Sequence, residues 1–246
     1  MLLKIISSSS QGNCYILESD TEALVVECGV KMSRIKKALC FDLSKIVGCI
    51  CTHRHLDHSK SVPDFVNNAI PVLAGEDVFT SKGIPLANSF VKVIQDGEGY
   101  KMGNFKILPF NAEHDVKCYG FHIYHPASGN ILFLTDSSIL EYTFPNLNHI
   151  LIEINYAQDI LDENIRLGNI HPGLRPRIMN GHMELETCKK ILLANNLDKV
   201  INIVLCHLSS GNSDEERFIR EVREIVGKLV FAAKKGMELD FSINPY

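Results

Sequence analysis

The chain has 246 residues, 46% of them hydrophobic, with 25 lysines and arginines against 29 aspartates and glutamates for a net charge of −4. A core of that size needs no disulfide staples, and the mild acidity argues against a strongly basic nucleic-acid clamp. Met1–Ile6 holds too few apolar residues for a signal-peptide core and no run reaches membrane-span length, so a cytoplasmic protein without a membrane partner is expected.

Apolar runs bounded by polar turns predict strands at Leu2–Ser7, Cys14–Glu18 and Ala23–Glu27. The segment Lys31-Met32-Ser33-Arg34-Ile35-Lys36-Lys37 reads as a solvated basic helix face. Ile46–Cys51 is a short continuous apolar run, the signature of a strand buried on both faces, and helical sequence follows from Ser59 to Asn68. Between them stands His53-Arg54-His55-Leu56-Asp57-His58. At a strand's carboxyl end, side chains two apart point the same way, so His53 and His55 converge on one cation while Asp57 and His58 face another. Imidazole nitrogen and carboxylate oxygen suit zinc or manganese, and iron as well.

Further strands are predicted at Pro71–Ala74, Phe90–Ile94, Phe105–Pro109, Tyr119–His125, Ile131–Leu134 and His149–Ile154. Helices follow at Leu174–Asn180 and Glu184–Asn195, then a strand at Val200–Leu205 and a helix at Asp214–Val226 with Ser213 as its expected N-cap. Strands at Leu229–Phe231 and Leu239–Ile243 close the chain. No linker, repeat or low-complexity tract divides it, which predicts one domain over residues 1–246. The eight cysteines lie in apolar patterns and are expected to be reduced and buried, Cys49 and Cys51 as core packing rather than a metal site. His122, His125, His149 and His171 share no ligand spacing and read as structural.

The His53–His58 loop resembles the signature of the metallo-β-lactamase-fold hydrolases. Three later blocks, Glu113-His114-Asp115, Leu134-Thr135-Asp136-Ser137 and Leu205-Cys206-His207-Leu208, stand in that superfamily's ligand order, each after a strand-like run. The resemblance assigns His53, His55 and His114 to one metal and Asp57, His58 and His207 to a second, with Asp136 bridging the two. It also implies an α/β (α+β) fold, a four-layer αββα sandwich of two sheets flanked by helices. Within the superfamily the chain is similar to the YycJ (WalJ) branch of proposed DNA exonucleases over nearly its whole length. The resemblance there rests on Ser9-Ser10-Gln11-Gly12-Asn13-Cys14-Tyr15, Leu151-Ile152-Glu153-Ile154-Asn155, Leu174-Arg175-Pro176-Arg177-Ile178 and Gly181-His182. Ser61 stands where relatives carry Gly, and Tyr156-Ala157 where the branch has His-Asp.

The function this implies is dinuclear metal-dependent hydrolysis of a phosphodiester, DNA before RNA, by a hydroxide held between the metals. Asp57 is expected to orient the nucleophile and His182 to act as general acid, with Glu153 holding its imidazole protonated. Arg175 and Arg177, in a cation-rich stretch around His182, are candidates for positioning substrate phosphate. The same ligand set also fits a small-molecule hydrolase of this fold, acting on a thioester, lactone or cyclic phosphodiester, because one scaffold hosts many chemistries. Oligomeric state, including a homodimer, is left open.

Overall fold

The computed structural model describes residues 1–244. The N-terminal half builds a sheet from β1 (Leu2–Ser7), β2 (Cys14–Glu18), β3 (Ala23–Val26), β4 (Ile46–Ile50), β5 (Val72–Ala74) and β6 (Val91–Val93). The C-terminal half builds a second from β7 (Tyr100–Met102), β8 (Phe105–Ala112), β9 (Cys118–His125), β10 (Gly129–Leu134), β11 (Leu147–Glu153), β12 (Asn202–Cys206) and β13 (Leu229–Ala232). A last strand, β14 (Glu238–Asp240), crosses back to pair antiparallel with β1, so each sheet has seven strands.

Each sheet is antiparallel on one side and parallel on the other. β3 through β6 run parallel, as do β10 through β13. Strands on the parallel sides are covered on both faces, which is why β3 and β12 are buried at every residue and read as unbroken apolar runs. β1, by contrast, alternates partly buried and buried positions.

The inner faces meet in a core that includes Leu3, Leu17, Phe105, Phe121, Phe133 and Val204. On the outer face of the first sheet, α1 (Met32–Ala38), α3 (Val62–Asn67) and α4 (Glu76–Thr80) bury Ile35, Phe65 and Phe79 against Val25 and Cys49. On the second, α7 (Leu185–Ala194) and α8 (Glu215–Val226) bury Leu192 and Phe218 against Ile152 and Ile203. The αββα order of the sequence reading is the observed one. The remaining helices are α2 (Leu56–Ser59), α5 (Gln158–Arg166) and α6 (Arg175–Gly181), the last of which buries only Gly181.

Local differences have local causes. The single helix expected over Ser59–Asn68 is split into α2 and α3, because Ser61 turns aside to bond Cys28 O through its amide (2.9 Å) and Val30 O through its hydroxyl (2.6 Å). The N-cap of α8 is Asp214, not Ser213: its carboxylate accepts from Arg217 N at 3.0 Å. Short β7 and α4 and polar α5, whose one buried residue is Leu161, escaped the apolar pattern. Seven cysteines are buried thiols as expected, but Cys40 is exposed, beyond the end of α1 at a positive φ of 50°. No helix among the described residues is long and apolar enough to cross a membrane.

Candidate metal centre

The parallel strands end on one edge of the sandwich, where open α/β sheets present their ligand-binding loops. β4 delivers the His53–His58 loop, β8 leads to His114, β10 to Asp136, β11 ends in Glu153 and β12 leads to His207. The loop is stitched down from beneath: Cys28 N donates to His58 O at 2.8 Å and Asn13 N to Asp57 O at 2.7 Å. Gly29 is required there, since a Cβ would lie 1.6 Å from Asp57 O. Glu27, Asp136 and His207 all hold positive φ (65°, 50° and 53°), a strain of about 1–3 kcal/mol each that the surrounding packing sustains.

Three groups of donor atoms result, each with its atoms within 4.8 Å of one another: His53, His55 and His114; then Asp57, His58, Asp136 and His207; and a third, Asp136, Glu153, His182 and His207, that shares two members with the second. In the first, His53 Nε2 and His114 Nε2 lie 3.0 and 3.4 Å from His55 Nδ1. Behind His53 and His114 stand neutral partners, Thr52 Oγ1 at 2.9 Å from His53 Nδ1 and Gly181 O accepting from His114 Nδ1 at 2.9 Å, while the half-exposed Asp115 lies 3.5 Å from His55 Nε2. In the second group Asp136 Oδ2 lies 2.7 Å from His58 Nε2 and 3.5 Å from His53 Nε2, so this carboxylate faces the first two groups.

Carboxylates stand behind the second group. Glu27, fully buried, lies 3.4 Å from His58 Nδ1, and Glu153 Oε1 lies 3.1 Å from His207 Nδ1. Asn155 Nδ2 donates to His207 O at 2.8 Å, and Ser8 Oγ accepts from His207 N at 2.9 Å. Burial opposes charge on these imidazoles, but Asp136 and its neighbours override it: His58 is raised well above its ordinary pKa and His207 to about 9. Burial likewise opposes charge on Asp136, yet His207 and His58 hold it well below the usual carboxylate range.

The residues fit cations. Glu27 Oε2, His58 Nδ1, Asp136 Oδ1 and His207 Nε2 are buried with no hydrogen-bond partner, a costly arrangement for four polar atoms in one cluster. Nitrogen lone pairs and carboxylates converging at these separations are compensated either by protons, as the raised imidazoles indicate, or by divalent ions that displace them. The donor set suits two such ions; nothing in it selects among zinc, manganese and iron.

His182 completes the edge. Its Nδ1 donates to Glu153 Oε1 at 2.7 Å and lies 3.4 Å from Asp136 Oδ1, while the ring is stacked on His207 with centroids 5.4 Å apart. Burial pushes its pKa down, but the Glu153 and Asp136 carboxylates prevail and raise it to about 10. Around the cluster is a cavity of about 400 Å³ lined by Ser10, Leu56, Asp57, Asp115, Arg177 and His182 among others. Of the two candidate phosphate-binding arginines, only Arg177 reaches it. Arg175 is bonded to Asp162 Oδ1 at 3.0 Å, on an exposed helix pair.

Sequence reasoning missed Glu27, Asn155, Thr52 and Gly29. Glu27 carried a signal, an acid ending an otherwise apolar strand, and Asn155 stood in a block shared with the YycJ branch though its amide contact with His207 was not foreseen; Thr52 and Gly29 act through one hydroxyl and through backbone approach and left none. His125 is held by Glu22 at 3.0 Å and His149 is stacked on Phe241 with centroids 4.1 Å apart, both outside the cluster.

The sandwich and the cluster at its strand ends define a protein of the metallo-β-lactamase fold. The metallo-beta-lactamase superfamily model matches residues 9–115. Over 230 residues, 86% of this chain and 83% of the relative, the sequence is 26% identical to an exodeoxyribonuclease WalJ of Streptococcus pneumoniae, which supports the YycJ-like branch. Among solved structures, the metallo-β-lactamase-fold protein YhfI of Bacillus subtilis superposes with a TM-score of 0.73 at 19% identity, covering 97% of this chain and 99% of that one. The short form of human tRNase Z gives 0.66 at 13%, covering 98% and 99%.

Proposed function

We propose that the chain is a two-metal phosphodiesterase acting on nucleic acid, DNA before RNA, in the manner of an exonuclease. The observation that carries this reading is the Glu153–His182 pair, an imidazole whose Nδ1 lies 2.7 Å from a buried carboxylate and which is set against the ligand cluster. Cleaving a phosphodiester expels an alkoxide, a leaving group that needs a proton at neutral pH, and a positioned general acid contributes about 10²–10⁴-fold. His182 Nδ1 is committed to carboxylates, which leaves Nε2 to deliver that proton. The similarity to an exodeoxyribonuclease supports the same reading.

His53, His55 and His114 would hold one cation and Asp57, His58, Asp136 and His207 the other. Bound there, the pair would lower the pKa of water and neutralise charge on the phosphoryl oxygens. The chain's own contribution is placement. Asp57, partly open to solvent with His58 and His207 at its oxygens, is kept ionised well below the usual carboxylate range against the opposing effect of burial, and can accept a hydrogen bond from the attacking water. Arg177 holds a non-bridging phosphate oxygen at the mouth, and Glu153 keeps His182 charged and aimed.

The test is cleavage of end-labelled duplex and single-stranded DNA, with matched RNA, by protein loaded with zinc or manganese. Stepwise digestion that His182→Ala cuts by about 10²-fold or more is the expected result. Turnover of small diesters or thioesters with no attack on any polymer would instead place the chain among small-molecule hydrolases, a reading that the modest cavity volume of about 400 Å³ accommodates.

A further inference from the structure

A second cavity lies away from the histidine cluster. It encloses about 660 Å³ where α1 and the turn before β14 meet across β1, floored by Ile5, Ile6, Ala38 and Met237. The turn is fixed to β1 by Gly236 N to Ile5 O at 2.7 Å and Ile5 N to Met237 O at 2.9 Å, so the floor is built on strand backbone rather than on a free loop.

Its walls carry an uncompensated charge. Lys4 is accounted for, bound to Glu18 at 2.6 Å and to Ala38 O at 3.0 Å. Arg34 is half-buried and its guanidinium donates to Ile6 O, with no carboxylate within 4.0 Å among the described residues. Lys37 and Lys235 also line the cavity without an ion pair among the described residues, and Glu238 is the only acid there. Lys37 lies in the last turn of α1, where a cation suits the helix C-terminus in any case; Arg34 and Lys235 have no such reason. A guanidinium withdrawn from water without a counter-ion costs free energy, and an anionic ligand would recover it.

We propose that this cavity binds a phosphate monoester carrying an apolar or aromatic body, of the size of a mononucleotide. The volume is within the range of small-molecule sites, the floor is apolar, and three unpaired cations against one carboxylate match a group with about −1.5 to −2 charge at neutral pH. The proposal does not rest on the nuclease reading, because none of these residues touches the metal centre.

Cys40 makes the test direct, since it lines the cavity and is the one exposed cysteine, the other seven being buried. Alkylation of Cys40 by iodoacetamide, followed by intact mass, is timed with adenosine monophosphate, adenosine, inorganic phosphate or a single-stranded oligonucleotide present. Adenosine monophosphate is expected to slow the reaction saturably, by about tenfold at ten times its dissociation constant, and adenosine to leave it unchanged. Lys37→Glu with Lys235→Glu, both exposed side chains, should abolish that protection relative to the variant's own unliganded rate, with metal-dependent activity retained. Failure of adenosine monophosphate to protect, equal protection in the variant, or protection by the oligonucleotide alone would each overturn the proposal, the last by making the groove part of a strand path.

Discussion

The two halves of the metal centre differ in what stands behind their histidines. His53 and His114 lean on a threonine hydroxyl and a backbone carbonyl, and His55, a third open to solvent, has only the half-exposed carboxylate of Asp115 3.5 Å from its outer nitrogen Nε2. His58 and His207 are backed by the buried carboxylates Glu27 and Glu153. A carboxylate behind an imidazole raises its basicity and fixes its orientation, so the second group should be the tighter cation site and the first the more open one. The asymmetry suits a centre in which one position anchors and the other meets substrate.

Breaking the comparison altogether requires Asp136, the carboxylate facing both groups. Asp136→Asn is expected to lower metal content by at least one ion per chain and kcat by about a thousandfold or more, read by elemental analysis beside turnover. A third histidine environment extends the series. His149 has no carboxylate at ion-pair distance among the described residues, and burial, against the weaker pull of the Phe241 backbone and Asp240, drives its pKa down to about 4. The folded protein therefore keeps it neutral while the unfolded chain takes up a proton below about 6.5. Its contribution is intact above that pH and is lost as pH falls toward 4, by about 3 kcal/mol in all. Denaturant titrations across this window should show the loss, and His149→Phe, which keeps the stack on Phe241, should flatten that part of it.

Sharper still is the pairing of Glu27→Gln with Thr52→Val. The first should weaken one cation by about 10–100-fold, the second by less and at the other position; competition with a chelator separates the two. Equal losses would dissolve the asymmetry. The smallest contrast is between the arginines: Arg177→Gln should raise KM by about tenfold through a lost charge-assisted bond, whereas Arg175→Gln, which removes an exposed pair with Asp162, should leave turnover and KM unchanged.

How much of this was legible beforehand follows from where the information lies along the chain. Four donors fall within six consecutive residues, and the 2-residue periodicity of extended backbone converts that spacing into two facings. The parallel strands announced themselves as unbroken apolar runs because both their faces are covered. His114, Asp136 and His207 sit alone at strand ends and were readable only by their order in a family pattern. Glu27 acts across strands that sequence does not show to be neighbours, Thr52 touches the ring of the next residue with a hydroxyl that no pattern marks, and Arg175 differs from Arg177 only in which way α6 turns each side chain. Cys40 looked like one more core thiol because the reversal of chain direction after α1, through positive φ at Cys40 and Phe41, leaves no apolar signature.

The crossing of β14 bears on the order in which the molecule can be assembled. β1 precedes every other strand along the described residues, but its outer neighbour, Glu238–Asp240, follows all of them. Until that strand docks, the N-terminal sheet carries an open edge with unpaired amides and carbonyls, the kind of template that recruits other chains. Closure joins residues more than two hundred positions apart, a contact made late and slowly in any folding route. A chain in which Glu238–Asp240 has not yet docked should therefore hold a nearly complete sandwich with one side of β1 unpaired, and docking of β14 moves that open border from a six-residue strand to one of three residues, a less inviting template.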